Sequence, residues 1–315
     1  MKKIKIGGQA VIEGVMMRSE RAFTVAVRKT DGSIKVKEDI VSSLSEKYPI
    51  LKRPLLRGVV VLFESLVLGI SALTYSANEA AEEEVEGELS PWVMGMTIVF
   101  ALALGIFLFL IVPHIATVYV DQFLSWNMGV ETLRFHLVDG IIKVAIFIIY
   151  LFSISILPDI KRVFMYHGAE HKSIFTYEAG EELTVDNARK YPTMHPRCGT
   201  SFILIVLLIS IILFAAIFPI MPKLLEIPKL ARNLIYISIK IPLLIPIAGI
   251  SYELLKLAGD KRKNPILKFI SLPGIWLQKI TTKEPSDDQI EVALAALTQA
   301  VEIENGKTVF KPDKK

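Results

Sequence analysis

PWVMGMTIVFALALGIFLFLIV, residues 91–112, carries no charged side chain from end to end. A helix rises 1.5 Å per residue, so about 20 apolar residues cross the hydrocarbon layer of a bilayer. Pro91 and Trp92 open the run and Pro113 closes it. Three more runs match it: Leu137–Leu157, closed by Pro158, then Ser201–Phe218, followed by Pro219 and Pro222, and Asn233–Tyr252. Backbone inside lipid must satisfy its own N–H and C=O groups, so each run is expected to be helical. One such helix is ordinary in a soluble core. Four in a chain of 315 residues, with 52% hydrophobic residues and a mean hydropathy of +0.48, argue against a soluble fold. The fold class expected is an α-helical polytopic membrane protein with a small β-rich N-terminal region and a C-terminal helix.

A fifth run, Leu55–Ala77, contains Arg57, Gly58, Glu64 and Gly69, and leads into the acidic cluster Glu82–Glu84. It either spans or lies in the interface as an amphipathic or re-entrant helix. The distribution of basic residues bears on the choice, because Lys and Arg concentrate in cytoplasmic loops. Residues 1–90, 158–200 and 252–315 hold 13, 6 and 11 Lys/Arg, whereas 113–136 and 219–232 hold 1 and 3. This asymmetry survives only if Leu55–Ala77 does not cross. Four spans follow, with both termini and the 158–200 loop in the cytoplasm. The segments are then 1–54 (β-rich), 55–90 (amphipathic or re-entrant helix and acidic linker), 91–252 (membrane domain) and 253–315 (tail with helix). The basic start is followed by no apolar run, so no signal peptide is read. The net charge of +4 gives no case for nucleic acid.

Lys240 falls within the last span beside Pro242 and Pro246. A charge at that depth costs about 2.5–3.5 kcal/mol, and each proline removes a helix hydrogen bond. The run reads as a kinked helix with a snorkelling lysine, or as a broken helix lining a polar cavity. His114 and His136, at span ends, read as interfacial residues.

In the N-terminal region, Thr24–Lys29 and Ser33–Glu38 flank Thr30-Asp31-Gly32, a hairpin signal. Ile6–Arg18 is read as a third strand or a tight loop. It lacks the Gly-x4-Gly-Lys-Ser/Thr pattern of a phosphate loop. Near the C-terminus, Ser286 and Gln289 stand at capping-box spacing. Ile290, Leu294, Leu297 and Val301 share one face, and Asn305-Gly306 ends the run. That helix is expected to pack on the N-terminal strands or on the membrane-facing loop.

The residues able to carry chemistry lie between Tyr166 and Ser201. His167 and His171 are at i and i+4, so both imidazoles can reach one ion from a single helix face. With Glu170 they form His-x-x-Glu-His, the inverted zincin order, in which the histidines hold zinc and the glutamate is the general base. A third ligand comes from His195 or Cys198, or from a distant carboxylate such as Glu253. If both His195 and Cys198 bind, the site closes to four protein ligands and is structural. Cys198 is the one cysteine, so no intrachain disulfide forms.

Gly7-Gly-Gln-Ala-Val-Ile-Glu-Gly-Val-Met-Met-Arg18, Tyr166-His-Gly-Ala-Glu-His-Lys172, His195-Pro-Arg-Cys-Gly-Thr-Ser201 and Thr281-Thr-Lys-Glu-Pro285, continued by Gln289-Ile-Glu-Val-Ala293, resemble the YqhQ-like bacterial membrane proteins. That family is a domain of unknown function, sometimes labelled a predicted metal-dependent enzyme. The resemblance covers the chain from Lys5 to about Ala300. It implies a bacterial plasma-membrane protein. It points to His167, Glu170, His171, His195 and Cys198, and next to Glu13, Arg18, Glu284 and Glu291. The function expected is a zinc-dependent hydrolase at the cytoplasmic membrane face, acting on a membrane protein or a lipid-linked compound. The alternative is a non-enzymatic scaffold or assembly factor with a structural metal. Four spans without an evident inverted repeat argue against a transporter acting alone. An oligomer is left open.

Overall fold

The computed structural model describes residues 4–80, 90–224, 226–260 and 264–306. The acidic cluster Glu82–Glu84 lies outside them. The chain is mostly helical, with five helices long and apolar enough to cross a membrane and a small antiparallel N-terminal sheet.

The sheet is a meander of β1 (Gly7–Val11), β2 (Gly14–Arg18), β3 (Ala22–Arg28) and β4 (Ile34–Ile40). The Thr30-Asp31-Gly32 turn joins β3 to β4, and Gly32 takes φ +84°, which a glycine adopts without a Cβ clash. Ile6–Arg18 makes two strands, joined by the tight turn at Ile12-Glu13. β2 and β3 are buried on both faces, which is why GVMMR and AFTVAVR show no polar alternation. One face, with Val15, Met17 and Ala26, packs on α6 (Pro158–Ala179) and α11 (Asp287–Glu304). The other, with Val11, Phe23 and Val25, packs on Leu68, Ala72 and Tyr75 of α2 (Leu56–Ala80). The capping box of Ser286 and Gln289 starts α11. Burying Ile290, Leu294 and Leu297 contributes about 1.5–3 kcal/mol each relative to exposure.

The second unit is a helix bundle. α3 (Pro91–Ile106) passes through a π-helical turn, Phe107–Ile111, into α4 (Val112–Leu124). The stop expected at Pro113 does not occur. The wide turn before it absorbs the missing N–H and the ring, so the helix continues past the proline. α4 packs on α5 (Leu133–Ser155), α5 on α8 (Gly199–Ile217) and α8 on α9 (Lys229–Asp260). Large apolar side chains such as Val99, Phe100, Ile149 and Ile241 stay exposed on the bundle's outside, as a lipid-facing surface requires. α10 (Pro265–Thr281) lies across the sheet end of the bundle, with Leu277 against Phe147, Leu204 and Leu207.

α2 is one unbroken apolar helix, and by length and composition it joins the other four. Its packing differs from theirs. Leu55 lies against Gly249 and Gly58 against Tyr252, and Arg57 pairs with Glu253. The contacts advance together, so α2 leaves the end of α9 in the direction α9 is running. It then reaches the sheet, where Glu64 binds Arg18 at 2.7 Å and Gly69 touches Gln9. α2 therefore runs alongside the C-terminal part of α9 and then one face of the sheet.

Two expectations for the bundle are corrected. α9 is continuous through Pro242 and Pro246, and Lys240 is fully buried and paired, so it neither snorkels nor lines a break. His114 and His136 are both 1% exposed and belong to the bundle interior, not to an interface. Each faces inward beside Phe135, and that is where the other polar groups of the bundle converge.

Candidate metal centre

Four segments meet where α6 passes beneath the bundle. α6 supplies His167, Glu170 and His171. The segment after α7 (Val185–Arg189) supplies Thr193 and His195. Cys198 is the N-cap residue of α8, and Thr281 is the last residue of α10. The close approach is set at Gly168. A Cβ there would stand 2.1 Å from the Lys283 carbonyl oxygen, so only glycine lets α6 pass the chain leaving α10. Lys283 N–H donates to Phe164 O at 2.9 Å across the same contact.

Each α6 histidine is aimed by a backbone carbonyl. His167 Nδ1 lies 2.8 Å from Thr281 O, and His171 Nδ1 is hydrogen-bonded to Thr193 O. A carbonyl only accepts, so both Nδ1 atoms must carry the proton, and each Nε2 keeps its lone pair. His167 Nε2 is 3.1 Å from Cys198 Sγ, and His171 Nε2 is buried without a hydrogen-bond partner. Burial holds the His171 ring below the usual imidazole range, so it is neutral, the form that binds metal. One ligand atom from each of His167, His171 and Cys198 falls within 4.8 Å of the other two. Two imidazoles and a sulfur, the imidazoles fixed through their far nitrogens, make a donor set that could hold a metal ion.

Glu170 is buried beside this group, outside the three ligand atoms. It accepts the Gly8 N–H, and its Oε2 has no partner. Burial raises its pKa to about 7, against the opposing pull of His167. Gly8 is the one residue that fits there, since a Cβ would lie 2.7 Å from Met16 O and 2.9 Å from the Glu170 carboxyl carbon.

The remaining sequence candidates are placed elsewhere. Gln278 clamps the His195 backbone, accepting from its N–H at 2.7 Å and donating to its carbonyl at 3.0 Å. The His195 ring packs at a tilt against Phe175, centroids 4.4 Å apart, and turns Nε2 to within 3.6 Å of Glu178. It flanks His171 rather than joining the ligand group. Glu253 pairs with Arg57 at the α2–α9 contact. Glu13, at φ +51°, binds Arg162 and Tyr166 of α6. Arg18 binds Glu64, and Glu291 binds Arg28 at 2.6 Å. Glu284 binds Lys172 at 2.7 Å, while the same ammonium donates to Arg189 O and Tyr191 O. These acidic and basic residues tie the segments together. Sequence reasoning missed Gln278, Glu178 and the two carbonyl acceptors, Thr193 and Thr281. Thr193, Glu178 and Thr281 lay in stretches that drew notice, and Gln278 did not.

The model of a protein of unknown function, DUF1385, matches residues 53–303. The chain is 32% identical over 307 residues to the "Uncharacterized protein YqhQ" of Bacillus subtilis (strain 168), covering 95% of this chain and 92% of that one. No solved structure matches.

Proposed function

The chain belongs to the DUF1385 family of proteins of unknown function, and on that premise we propose that it is a membrane-bound, divalent-metal-dependent hydrolase whose site is His167, His171 and Cys198. The observation that carries this is the pair of backbone carbonyls that turn both imidazole lone pairs toward one sulfur. Three protein ligands leave one coordination position open, the arrangement of catalytic rather than structural zinc. A zinc ion there would supply Lewis acidity and lower the pKa of water toward about 7. Glu170 is the general base, with an unpartnered oxygen and a pKa near neutrality.

The membrane topology in this reading is four crossings: α3 with α4, α5, α8 and α9. The sheet, α2, α6 and α11 lie on the side rich in Lys and Arg, the cytoplasm. The substrate is a membrane protein or a lipid-linked compound, because Cys198 opens a span and the site sits at its end. Glu170→Gln retains stoichiometric metal and abolishes hydrolysis; loss of the metal together with activity would instead make Glu170 part of the binding site.

The burial of all three ligands favours a second reading, a scaffold with a structural metal. X-ray absorption of the zinc-loaded protein separates the two. Two nitrogens, one sulfur and an exchangeable oxygen support the enzyme. Three nitrogens and one sulfur support the scaffold.

A further inference from the structure

Inside the bundle, far from the metal centre, five ionisable side chains from three helices are buried together. His136, Asp139 and Lys143 project from one face of α5 at i, i+3 and i+7. Lys240 comes from α9 and His114 from α4. We propose that this cluster is a binding site for a small monovalent anion of the halide class, held between Lys143, Lys240 and His136.

Charge balance is the first argument. Lys240 Nζ lies 3.4 Å and Lys143 Nζ 3.5 Å from the same oxygen, Asp139 Oδ2. Both ammonium groups also face the Phe214 ring, at 5.4 and 5.0 Å from its centroid. Among the described residues no other carboxylate comes within 4.0 Å of either one. The two amines share one carboxylate in a lipid-surrounded interior, where an uncompensated ion is heavily penalised, so protonation of both calls for a second negative charge. One monovalent anion restores neutrality.

Unmet hydrogen bonds are the second. Both ring nitrogens of His136 and the Oδ1 atom of Asp139 are buried without a partner. A neutral imidazole always has one N–H to give. Buried polar groups left open in one place signal a small species bound among them. An anion accepts the His136 N–H and faces both ammonium groups; a water beside it serves Asp139 Oδ1. The other polar neighbours are already engaged. His114 Nδ1 is 3.2 Å from Lys240 Nζ and its Nε2 is 2.9 Å from Asn233 Oδ1, while Lys143 Nζ reaches Ser210 Oγ at 3.4 Å. His114 spends both nitrogens on these contacts and is not available to the anion.

The test uses the full chain in lipid nanodiscs, prepared in sodium gluconate. Thermal unfolding is followed as chloride or bromide replaces gluconate at constant ionic strength. The melting temperature should rise saturably with either halide in the wild type and stay flat in Lys143→Met. Asp139→Asn removes the competing carboxylate, so its apparent halide affinity should increase about tenfold. A wild type indifferent to halide, or a shift retained in Lys143→Met, overturns the proposal. If Lys143→Met does not fold, an Asp139→Asn affinity equal to or weaker than wild type overturns it.

Discussion

The chain has two buried polar centres, built by opposite means. At the sheet end, His167 and His171 stand one turn apart on α6 and Cys198 caps the next span, and each imidazole is braced by a backbone carbonyl. In the bundle, His114, Asp139 and Lys240 come singly from three helices and are braced by one another. The first centre turns two ring nitrogens and a sulfur toward a common point. The second gathers charge of unequal sign. The cation site and the anion site proposed above rest on these two arrangements respectively. The contrast also says what should fail when each is disturbed: the bundle centre should answer in stability, and the sheet-end centre in metal affinity.

The largest stability effect is expected at Asp139. Asp139→Leu leaves two buried ammonium groups without their carboxylate and should cost about 3–5 kcal/mol. Denaturant unfolding in mild detergent measures it, and a loss below about 1 kcal/mol would mean that the bundle does not depend on this charge. Next comes Gly168→Ala. Its methyl group must displace the Lys283 carbonyl, which should cost about 1–3 kcal/mol and loosen zinc binding roughly tenfold by shifting the nearby Thr281. Competition against a zinc chelator reads the second quantity. Unchanged affinity would show that Thr281 does not position His167. The smallest effect belongs to Glu284→Ala. This carboxylate is 75% exposed, so its loss should cost about 0.5 kcal/mol or less and leave metal affinity unaltered.

The same contrast explains what was legible in the sequence. Membrane runs declare themselves by composition, and His167 and His171 by a four-residue spacing. Thr30-Asp31-Gly32 marks its hairpin, and Ser286 with Gln289 marks the start of α11. These are local signals. Pro113 misled because the π-helical turn that tolerates it has no residue signature. Ile6–Arg18 was half read, since strands covered on both faces lose the alternation that identifies them. α2 was ambiguous for a related reason. One side of it packs on the sheet and the rest is exposed, and apolarity alone does not say whether the cover is lipid or protein. His195 looked equivalent to Cys198 by spacing, but Gln278, 83 residues away, fixes its backbone and Phe175 holds its ring. Thr193 and Thr281 act through carbonyls, which every residue possesses. Lys240 drew notice in the sequence, but its partners could not be named, because Asp139 and His114 lie on other helices. Only the packing of α4, α5 and α9 shows that Lys240 has a partner.

The central claim is that two imidazoles and one thiol on two segments share a single ion. Metal analysis of the purified wild type beside His167→Ala, His171→Ala and Cys198→Ala tests it most directly. The account predicts one equivalent of zinc per wild-type chain and a loss of at least about 100-fold in affinity in each variant, with the folded state retained. A wild type that binds no divalent metal, or variants that hold zinc as tightly as the wild type, would contradict it.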